Sequence, residues 1–292
     1  MTVAAVDIGT NTVRLLVLDD DGRDLERRYV VTGLGRGVDR TQAFRADSVA
    51  HSLGVLRDYR DAIDRHGATA VRVVATSATR DVDDGEAFLD AAERMLGVRP
   101  EIITGEEEAA LSFHGSMRGD TGKGPLLAID VGGGSTEFVY GSNEPEYLVS
   151  VDMGSVRLTE RSLPLRPAFD DLPLARKEAD RAFEDVQPPG PISTAVGVGG
   201  TFTTLATLSL RVPHGTSAQG EMLSGEDARQ LVTRLARLTV AETAALTGID
   251  PARAPVILGG VVVVERAMAA VGLDQVMVSE YDLLDGIALS VS

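Results

Sequence analysis

The sequence predicts an α/β fold that contains two copies of one unit, a strand–turn–strand–turn–strand meander. The first copy begins with the apolar run from Val3 to Ile8, and the second begins with the run from Leu126 to Val131. Each run carries one aspartate near its end, followed by glycine and small hydroxyl residues, and two more strand-like segments come next. Apolar runs without a polar break are typical of strands covered on both faces. Because the same order recurs, we predict a duplicated fold whose two lobes enclose a central cleft.

Strands and helices alternate after each meander. Strands are predicted at residues 13–18, 25–32, 71–75, 101–103, 138–140, 146–151, 193–198 and 275–279. Helices are predicted at residues 47–67, 88–97, 106–117, 174–186, 224–238, 254–271 and 279–292. Apolar residues recur in the helical segments at helical spacing, and Gly67 and Gly97 are placed to end two of them. Asp47 is predicted to cap one helix, and Ser224 with Asp227 to cap another.

The polar, glycine-rich segment from Arg118 to Gly124 is predicted to separate the two lobes. This boundary gives an N-terminal lobe at residues 1–120 and a C-terminal lobe at residues 121–279. The C-terminal helix at 280–292 is predicted to cross back and complete the first lobe.

Composition limits the classes of function. The formal net charge is −16, which argues against a general nucleic-acid binder, because such proteins need a broad basic surface. The chain has no cysteine, so disulfide and thiol chemistry are excluded. No apolar run reaches the roughly 18 residues of a membrane helix, and no signal peptide precedes the first strand. We therefore expect a cytoplasmic protein without membrane contact. Nearly all basic residues are arginine, which suits bidentate phosphate contact.

The stretch from Asp130 to Glu137 carries the strongest chemical signal. Three consecutive glycines cost backbone entropy unless the turn needs positive φ or another group approaches the backbone closely. Their N–H groups can point together at one anion, as in a phosphate-binding nest. Asp130 would repel a phosphate at short range, so we expect a divalent metal between the two.

Asp7 holds the matching place in the first copy. Open α/β sheets bind ligands at the carboxyl ends of their strands, where both aspartates lie. A turn-capping role would explain one such aspartate, but two matched copies favour a functional role. A third glycine turn, Gly197 to Thr201, precedes a helix whose N–H groups favour an anion. Tight packing of strand against helix would select the same residues, so both interpretations stay open.

Charged side chains elsewhere give weaker signals. Glu106, Glu107 and Glu108 begin a helix, where acidic residues offset the helix dipole. A general base also needs a carboxylate on a rigid element, but periodicity does not tell which glutamate faces inward. Arg14, Arg80 and Arg157 each follow a strand-like or glycine-bearing segment. For each of them, a solvated surface side chain without a functional role is the alternative interpretation.

In combination, these segments resemble the exopolyphosphatase / guanosine pentaphosphate phosphatase family. The matching segments keep the family's order and span nearly the whole chain: Asp7 to Thr12, Ala75 to Asp81, Gly105 to Ala109, Asp130 to Glu137, Gly154 to Arg157, Gly197 to Thr201, and Val278 to Gly286. The resemblance implies an actin-like, ribonuclease-H-like fold and often a homodimer. It implies Mg²⁺-dependent hydrolysis of the terminal phosphoanhydride of inorganic polyphosphate, or of the 5′-phosphate of guanosine pentaphosphate, and the sequence does not decide between them.

The resemblance also implies roles for single residues. It makes Glu108 the catalytic base, and it makes Asp130 and Glu137 the carboxylates that handle the metal and the water. Asp7 is a further candidate metal ligand. The resemblance and the glycine turns together predict phosphate contacts at Asn11, Thr12, Arg80, Gly132, Gly133, Gly134, Ser135, Gly199, Gly200 and Thr201.

Some features depart from the family or leave other functions open. Ala110 stands where arginine is frequent, and Asp84 stands where asparagine is frequent. Longer relatives carry a further helical domain, so we expect a short form that favours shorter polyphosphate chains. An ATP-dependent sugar or acetate kinase of the same superfold is one alternative. A sensor that binds polyphosphate or an alarmone without turnover is another.

Overall fold

The chain folds into two compact units. This computed structural model describes residues 1–119, 121, 122 and 124–291; Asp120, Lys123 and Ser292, which fall in the predicted boundary segment and C-terminal helix, lie outside the described residues. Unit 1 comprises Met1–Gly115 and the segment from Leu283 onward, and unit 2 comprises Ser116–Asp282. The chain therefore changes unit before the predicted boundary at 120 and returns to unit 1 at Leu283 rather than at 280.

The described residues form the following elements. The strands are β1 (Val3–Ile8), β2 (Thr12–Leu18), β3 (Asp24–Val31), β4 (Ala70–Ala75), β5 (Glu101–Ile102), β6 (Leu126–Val131), β7 (Thr136–Gly141), β8 (Pro145–Val151), β9 (Thr194–Val198), β10 (Met222–Ser224) and β11 (Gln275–Ser279). The helices are α1 (Val38–Thr41), α2 (Ala46–His66), α3 (Ser77–Arg80), α4 (Gly85–Leu96), α5 (Gly105–Ser116), α6 (Ser155–Ser162), α7 (Leu172–Ala182), α8 (Gly199–Leu210), α9 (Gly225–Leu235), α10 (Val240–Ala244), α11 (Ile257–Ala270) and α12 (Leu283–Leu289). A 3-10 helix covers Pro251–Arg253.

The two sheets share the same core topology, and the sheet of unit 2 has an additional edge strand, β10. In the described part of the chain, unit 1 has the strand order β3-β2-β1-β4-β5 and unit 2 has the order β10-β11-β9-β6-β7-β8. In each unit the first three strands form an antiparallel meander, and the fourth strand pairs in parallel with the first. The duplication predicted from the sequence is therefore confirmed, since both copies place their first strand at the centre of a sheet.

Helices cover both faces of the unit 1 sheet. Alternate residues of β1, including Val6 and Ile8, pack with α2 and α4 in one apolar cluster. The intervening residues Val3 and Ala5 belong to a second cluster with α5 and α12. Side chains alternate between the faces of a strand, so Asp7 continues the row that α5 and α12 cover. This alternation places Asp7 on the same face of the sheet as the helix that begins with the three glutamates.

Two contacts of α12 hold it against the rest of unit 1. A Cβ at Gly286 would overlap the Leu111 carbonyl of α5, so only glycine allows the two helices this approach. Next to it, the fully buried Asp285 accepts hydrogen bonds from Nη1 and Nη2 of Arg27 on β3, at 3.1 and 2.6 Å. A bidentate pair of this kind has a fixed geometry. The Asp285–Arg27 pair joins α12 to the edge strand β3, and Gly286 allows α12 to pack closely on α5.

Unit 2 is organised around α11. Its residues are apolar on nearly all sides, as expected of a helix at the centre of a core. The run from Val261 to Val264 is fully buried, although β-branched residues favour strands. Packing against α6, α7 and α9 outweighs that weak local preference. Among the buried residues of α11, Glu265 is the polar exception, and it accepts from Nε and Nη2 of Arg176 at 2.8 and 3.0 Å.

Local signals predicted some helix ends well and others poorly. Gly67 and Gly97 end α2 and α4, and Ser224 forms the expected capping box with Asp227. The prediction for Asp47 is wrong, because the N-cap of α2 is Arg45 and Asp47 lies in the first turn. A hydrogen bond from the Arg45 guanidinium lowers the pKa of the Asp47 carboxyl to about 2, so its charge is used in a local ion pair.

The predicted extent of the C-terminal helix is also wrong. Ser279 ends β11, and α12 begins only at Leu283. The helices α1, α3 and α10 and the strand β10 were not predicted, because each has at most five residues and shows little periodicity. The eight-residue helix α6 was not predicted either.

The close approach at Gly286 predicts opposite effects for two glycine substitutions in helices of unit 1. Gly286→Ala should lower the free energy of unfolding by about 1–3 kcal/mol, because the new methyl group overlaps backbone. Gly54→Ala, in α2, should raise it by about 0.5–1 kcal/mol, because nothing lies within 4 Å of the added Cβ. Urea unfolding of both variants measures the difference. Equal effects would show that α12 can shift away from α5 at little cost.

Candidate active site

The turn after the first strand has the same geometry in both units. The N–H of Gly9 donates to the Thr12 carbonyl at 3.0 Å, and the N–H of Gly132 donates to the Ser135 carbonyl at the same distance. A Cβ at Gly132 would lie 3.2 Å from that carbonyl oxygen, so close approach explains this glycine. The two turns are therefore equivalent in structure as well as in sequence.

Two buried carboxylates lie side by side in unit 2. Asp130 on β6 and Glu137 on β7 are directly opposite each other in the antiparallel register. Direct cross-strand partners point to the same face and have Cβ atoms about 5 Å apart. Both side chains are buried, and the Ser150 hydroxyl on β8 donates to Oε1 of Glu137 at 2.7 Å. This neighbour orients one of the two carboxylates.

This pair fits a hard divalent cation. Mg²⁺ is held by one or two carboxylates with water as the other ligands, which matches two adjacent acidic side chains. The hydroxyl of Ser150 is the kind of outer partner that fixes a metal-binding carboxylate. The third glycine turn also comes close, because a Cβ at Gly199 would lie 2.7 Å from Oδ1 of Asp130. The residues present thus suit the metal role predicted for Asp130 and Glu137, which stays a prediction.

The equivalent pair in unit 1 has a different charge. Asp7 on β1 is directly opposite Arg14 on β2, and Nε of Arg14 donates to Oδ2 of Asp7 at 2.7 Å. Arg14 therefore occupies the place that Glu137 holds in unit 2. The ion pair with Arg14 balances the buried charge of Asp7 without a metal. The role of Asp7 as a metal ligand stays a prediction.

The difference between the copies was readable in the sequence. The matched positions have identical spacings in the two meanders: Asp7, Gly9, Thr12 and Arg14 in the first, and Asp130, Gly132, Ser135 and Glu137 in the second. Aligning the copies residue by residue pairs an arginine with a glutamate. The two aspartates alone do not reveal that unit 1 carries a neutralised pair and unit 2 a doubly acidic one.

Three consecutive carbonyl groups of the unit 2 loop face α6. Gly132 O accepts from the Ser155 N–H at 3.0 Å, Gly133 O from the Val156 N–H at 2.9 Å, and Gly134 O from Nε of Arg157 at 2.8 Å. In a trans peptide the C=O and the following N–H point in opposite directions. The N–H groups of Gly133, Gly134 and Ser135 therefore point together away from α6. This arrangement suits an anion, and the phosphate contacts predicted for Gly132, Gly133, Gly134 and Ser135 stay a prediction.

Unit 1 orients its turn by the same principle. The Thr10 carbonyl accepts from the Gly35 N–H at 2.7 Å, and the Asn11 carbonyl accepts from the N–H groups of Thr32 and Gly33 at 3.0 Å. The N–H groups of Asn11 and Thr12 consequently point away from that segment. In each unit the chain that follows the third strand of the meander supports the turn after the first strand.

The third glycine turn shows tight packing. A Cβ at Gly197 would overlap the ring of Phe202, and one at Gly200 would overlap the guanidinium of Arg253. The buried Thr201 hydroxyl donates to the Val131 carbonyl at 3.0 Å, which ties α8 to β6. Of the two open interpretations, the structure supports packing. The phosphate contacts predicted for Gly199, Gly200 and Thr201 stay a prediction.

The structure distinguishes the three glutamates of α5. Glu106 is exposed, and hydrogen bonds from its own backbone N–H and from the Thr104 hydroxyl lower its pKa. Glu107 is exposed and pairs with Arg72 at 2.6 Å. Glu108 is 7% exposed and accepts from Nη1 of Arg80 at 3.0 Å. Glu108 is thus the inward-facing glutamate, which periodicity did not reveal.

Arg80 connects the candidate base to the end of a strand. It ends α3, directly after β4, and its Nη1 also donates to the Ile103 carbonyl at 2.8 Å. The side chain is 23% exposed, so it is partly buried rather than a freely solvated surface arginine. Unit 1 therefore brings together Glu108 and Arg80, two of the predicted site residues.

Two further findings concern clustered carboxylates and membrane helices. Among residues 1–119, 121, 122 and 124–291, the acidic side chains that converge in a set of three are Asp19, Asp20 and Asp21, at the turn between β2 and β3. None of them is a predicted ligand. In the same described part of the chain, no helix has both the length and the apolar character needed to span a membrane.

Comparison with known proteins identifies the family. The profile of the Ppx/GppA phosphatase family matches residues 19–292. The chain belongs to this family. Exopolyphosphatase 2 of Mycobacterium tuberculosis is 38% identical over 314 residues, covering 99% of this chain and 98% of that protein. Exopolyphosphatase 1 of Mycobacterium leprae is 29% identical, covering 99% of this chain and 89% of that protein.

Solved structures agree with this assignment. An exopolyphosphatase-like protein has a TM-score of 0.93 at 36% identity, covering 99% of this chain and 98% of that one. The Ppx/GppA member of Aquifex aeolicus has a TM-score of 0.81 at 28% identity, covering 99% and 97%. The predicted α/β fold of the actin-like, ribonuclease-H-like type is confirmed. Membership of the Ppx/GppA family also confirms the prediction of an enzyme, a hydrolase that acts on phosphoanhydrides.

The hydrogen bond from Ser150 predicts an effect on metal affinity. Ser150→Ala removes the donor that orients Glu137 and should weaken divalent-metal binding roughly tenfold or more. Titration with Mn²⁺, followed by its electron paramagnetic resonance signal, measures this without turnover. Ser142→Ala, a serine in the turn between β7 and β8, serves as a control. Unchanged Mn²⁺ affinity in Ser150→Ala would show that the Ser150 hydroxyl does not contribute to metal binding.

Proposed function

We propose that this Ppx/GppA protein is an exopolyphosphatase that hydrolyses the terminal phosphoanhydride of inorganic polyphosphate and uses Mg²⁺. The observation that carries this proposal is the unit 2 loop, where three aligned N–H groups lie next to a pair of buried carboxylates. N–H donors suit phosphate oxygens, and a carboxylate pair suits the cation that accompanies them. The names of the related mycobacterial proteins support the same substrate.

Hydrolysis of a phosphoanhydride depends on positioning and charge more than on covalent chemistry. We assign Glu108 as the base that orients a water and accepts its proton as the water oxygen bonds to the terminal phosphorus. The bond from phosphorus to the bridging oxygen breaks, and the shortened chain leaves. The helix α5 holds Glu108 rigidly, and Arg80 fixes the direction of its carboxylate.

The remaining assignments concern the phosphate. The N–H groups of Gly133 to Ser135 bind oxygens of the terminal phosphate, and those of Asn11 and Thr12 bind further phosphate oxygens. Arg80 contributes positive charge to the next phosphate. When bound by Asp130 and Glu137, Mg²⁺ would offset the negative charge that develops on the phosphoryl oxygens. A homodimer and a cytoplasmic location remain predictions from the sequence.

The first test compares substrates and a base variant. Phosphate release with Mg²⁺ should be fastest from polyphosphate when polyphosphate and guanosine pentaphosphate are supplied in parallel. Glu108→Gln should lower kcat by a factor on the order of 10²–10⁴, the usual contribution of a positioned base. The control Glu107→Gln alters an exposed ion pair and should change kcat by less than about twofold.

Three outcomes would contradict this assignment. A loss of less than about threefold in Glu108→Gln would remove that residue from the role of base. Faster release from guanosine pentaphosphate would move the substrate assignment to the alarmone. Tight binding of either compound with no release would favour the sensor.

The negative charge of the protein bears on chain length. With a net charge of −16, the surface beyond the site repels the phosphates that extend past it, and this repulsion grows with chain length. Turnover per chain end should therefore be highest with short polyphosphate. Added salt should reduce the difference between short and long chains, because it screens exposed charges. A steady rise of turnover with chain length would contradict the short-chain preference.

A further inference from the structure

We propose that Arg157 is a positioning residue for the phosphate loop: its Nε–H bond to the Gly134 carbonyl fixes the peptide between Gly134 and Ser135 so that the Ser135 N–H faces the substrate. This inference rests on the proposed phosphate-binding role of the loop. It assigns a role to a side chain that the sequence showed only as one of three candidate arginines.

The three loop carbonyls are not held in the same way. The first two, on Gly132 and Gly133, accept from backbone N–H groups at the start of α6. The Ser155 hydroxyl also donates to the Gly132 carbonyl at 3.1 Å. None of these bonds uses the side chain of residue 157. The third, on Gly134, accepts from the side chain of Arg157 at 2.8 Å. A substitution at residue 157 can therefore release one loop peptide while leaving the other two in place.

The Gly134–Ser135 peptide needs such a restraint. Glycine has the widest range of backbone conformations, so the torsion angles of Gly134 allow this peptide to rotate. Rotation would turn the Gly134 carbonyl toward the anion and the Ser135 N–H away from it, because the two point in opposite directions. A carbonyl oxygen facing a phosphate replaces an attraction with a repulsion. The hydrogen bond from Arg157 opposes that rotation.

Arg157 is itself held in place. Its backbone N–H donates to the Gly133 carbonyl at 3.2 Å, so the residue contacts two consecutive loop carbonyls. Its side chain is 11% exposed, and Nη2 lies 3.9 Å from a carboxylate oxygen of Asp152. The residue Gly154 permits this arrangement, because a Cβ there would lie 2.5 Å from the Gly133 oxygen. The first turn of α6 can therefore lie directly against the loop.

Two substitutions separate the geometry of Arg157 from its charge. Glutamine carries its side-chain NH₂ at the same number of bonds from the backbone as Nε of arginine, and it has no charge. Lysine keeps the charge and the apolar stem, but it has a methylene group at that position. If Nε–H positions the loop, Arg157→Gln should retain function and Arg157→Lys should not. If charge on the phosphate matters, the order should be reversed.

The test measures binding of inorganic phosphate by calorimetry to the wild type, to both variants and to Arg161→Ala. Arg161 lies one turn further along α6, pairs with Glu178 at 3.6 Å, and serves as the control. We expect Arg157→Lys to bind phosphate about tenfold more weakly, the equivalent of one lost hydrogen bond. Arg157→Gln and Arg161→Ala should stay within about threefold of the wild type, and kcat for polyphosphate should follow the same order. Thermal unfolding of each variant shows that the protein is folded.

The outcomes separate this inference from the proposed function. Weaker phosphate binding in Arg157→Lys alone, with no hydrolysis of polyphosphate by the wild type, would support the loop role and reject the exopolyphosphatase assignment. Wild-type binding in Arg157→Lys, impaired binding in Arg157→Gln, or no phosphate binding by the wild type would each overturn the positioning role.

Discussion

The candidate site depends on the direction of a few peptide bonds. In each unit, the chain that follows the third strand of the meander donates hydrogen bonds to carbonyls of the turn after the first strand. Since a trans peptide directs its C=O and N–H to opposite sides, holding the carbonyls on one side aligns the N–H groups on the other. The turn thereby presents a set of backbone N–H groups that suits an anion. Glycine is needed here because it lets the supporting segment approach the turn closely. A Cβ at Gly154, for example, would overlap the Gly133 carbonyl.

The duplication keeps this scaffold and changes the charges on it. Both first strands carry an aspartate one residue before their end, but its cross-strand partner is Arg14 in unit 1 and Glu137 in unit 2. One substitution at one matched position therefore makes the first pair neutral and the second pair doubly negative. A neutral pair beside a nest of N–H groups leaves that turn suited to an anion, whereas two carboxylates add a place for a cation. Equivalent turns thus carry different charges in the two units.

Much of the fold was readable from local pattern. Buried strands appeared as apolar runs, α2 and α4 ended at their glycines, and the repeated meander predicted the shared sheet topology. The predicted helix starts were wrong at two places, where tertiary or local pairing differs from the pattern expected from sequence. Asp47 was predicted to cap α2, but it pairs with Arg45 inside the first turn. The start of α12 was placed too early because Ser279 completes a strand of the sheet instead.

The sequence by itself determined the family, the duplicated α/β architecture and the residue types of the site, because motif order, apolar runs and glycine turns are local properties of the chain. Only the tertiary structure decided which of three glutamates faces inward, since α5 packs so that Glu108 meets Arg80 while Glu106 and Glu107 stay exposed. It also decided the direction of the loop N–H groups. That direction follows from hydrogen bonds made by α6, a segment distant in sequence, and periodicity carries no information about such bonds.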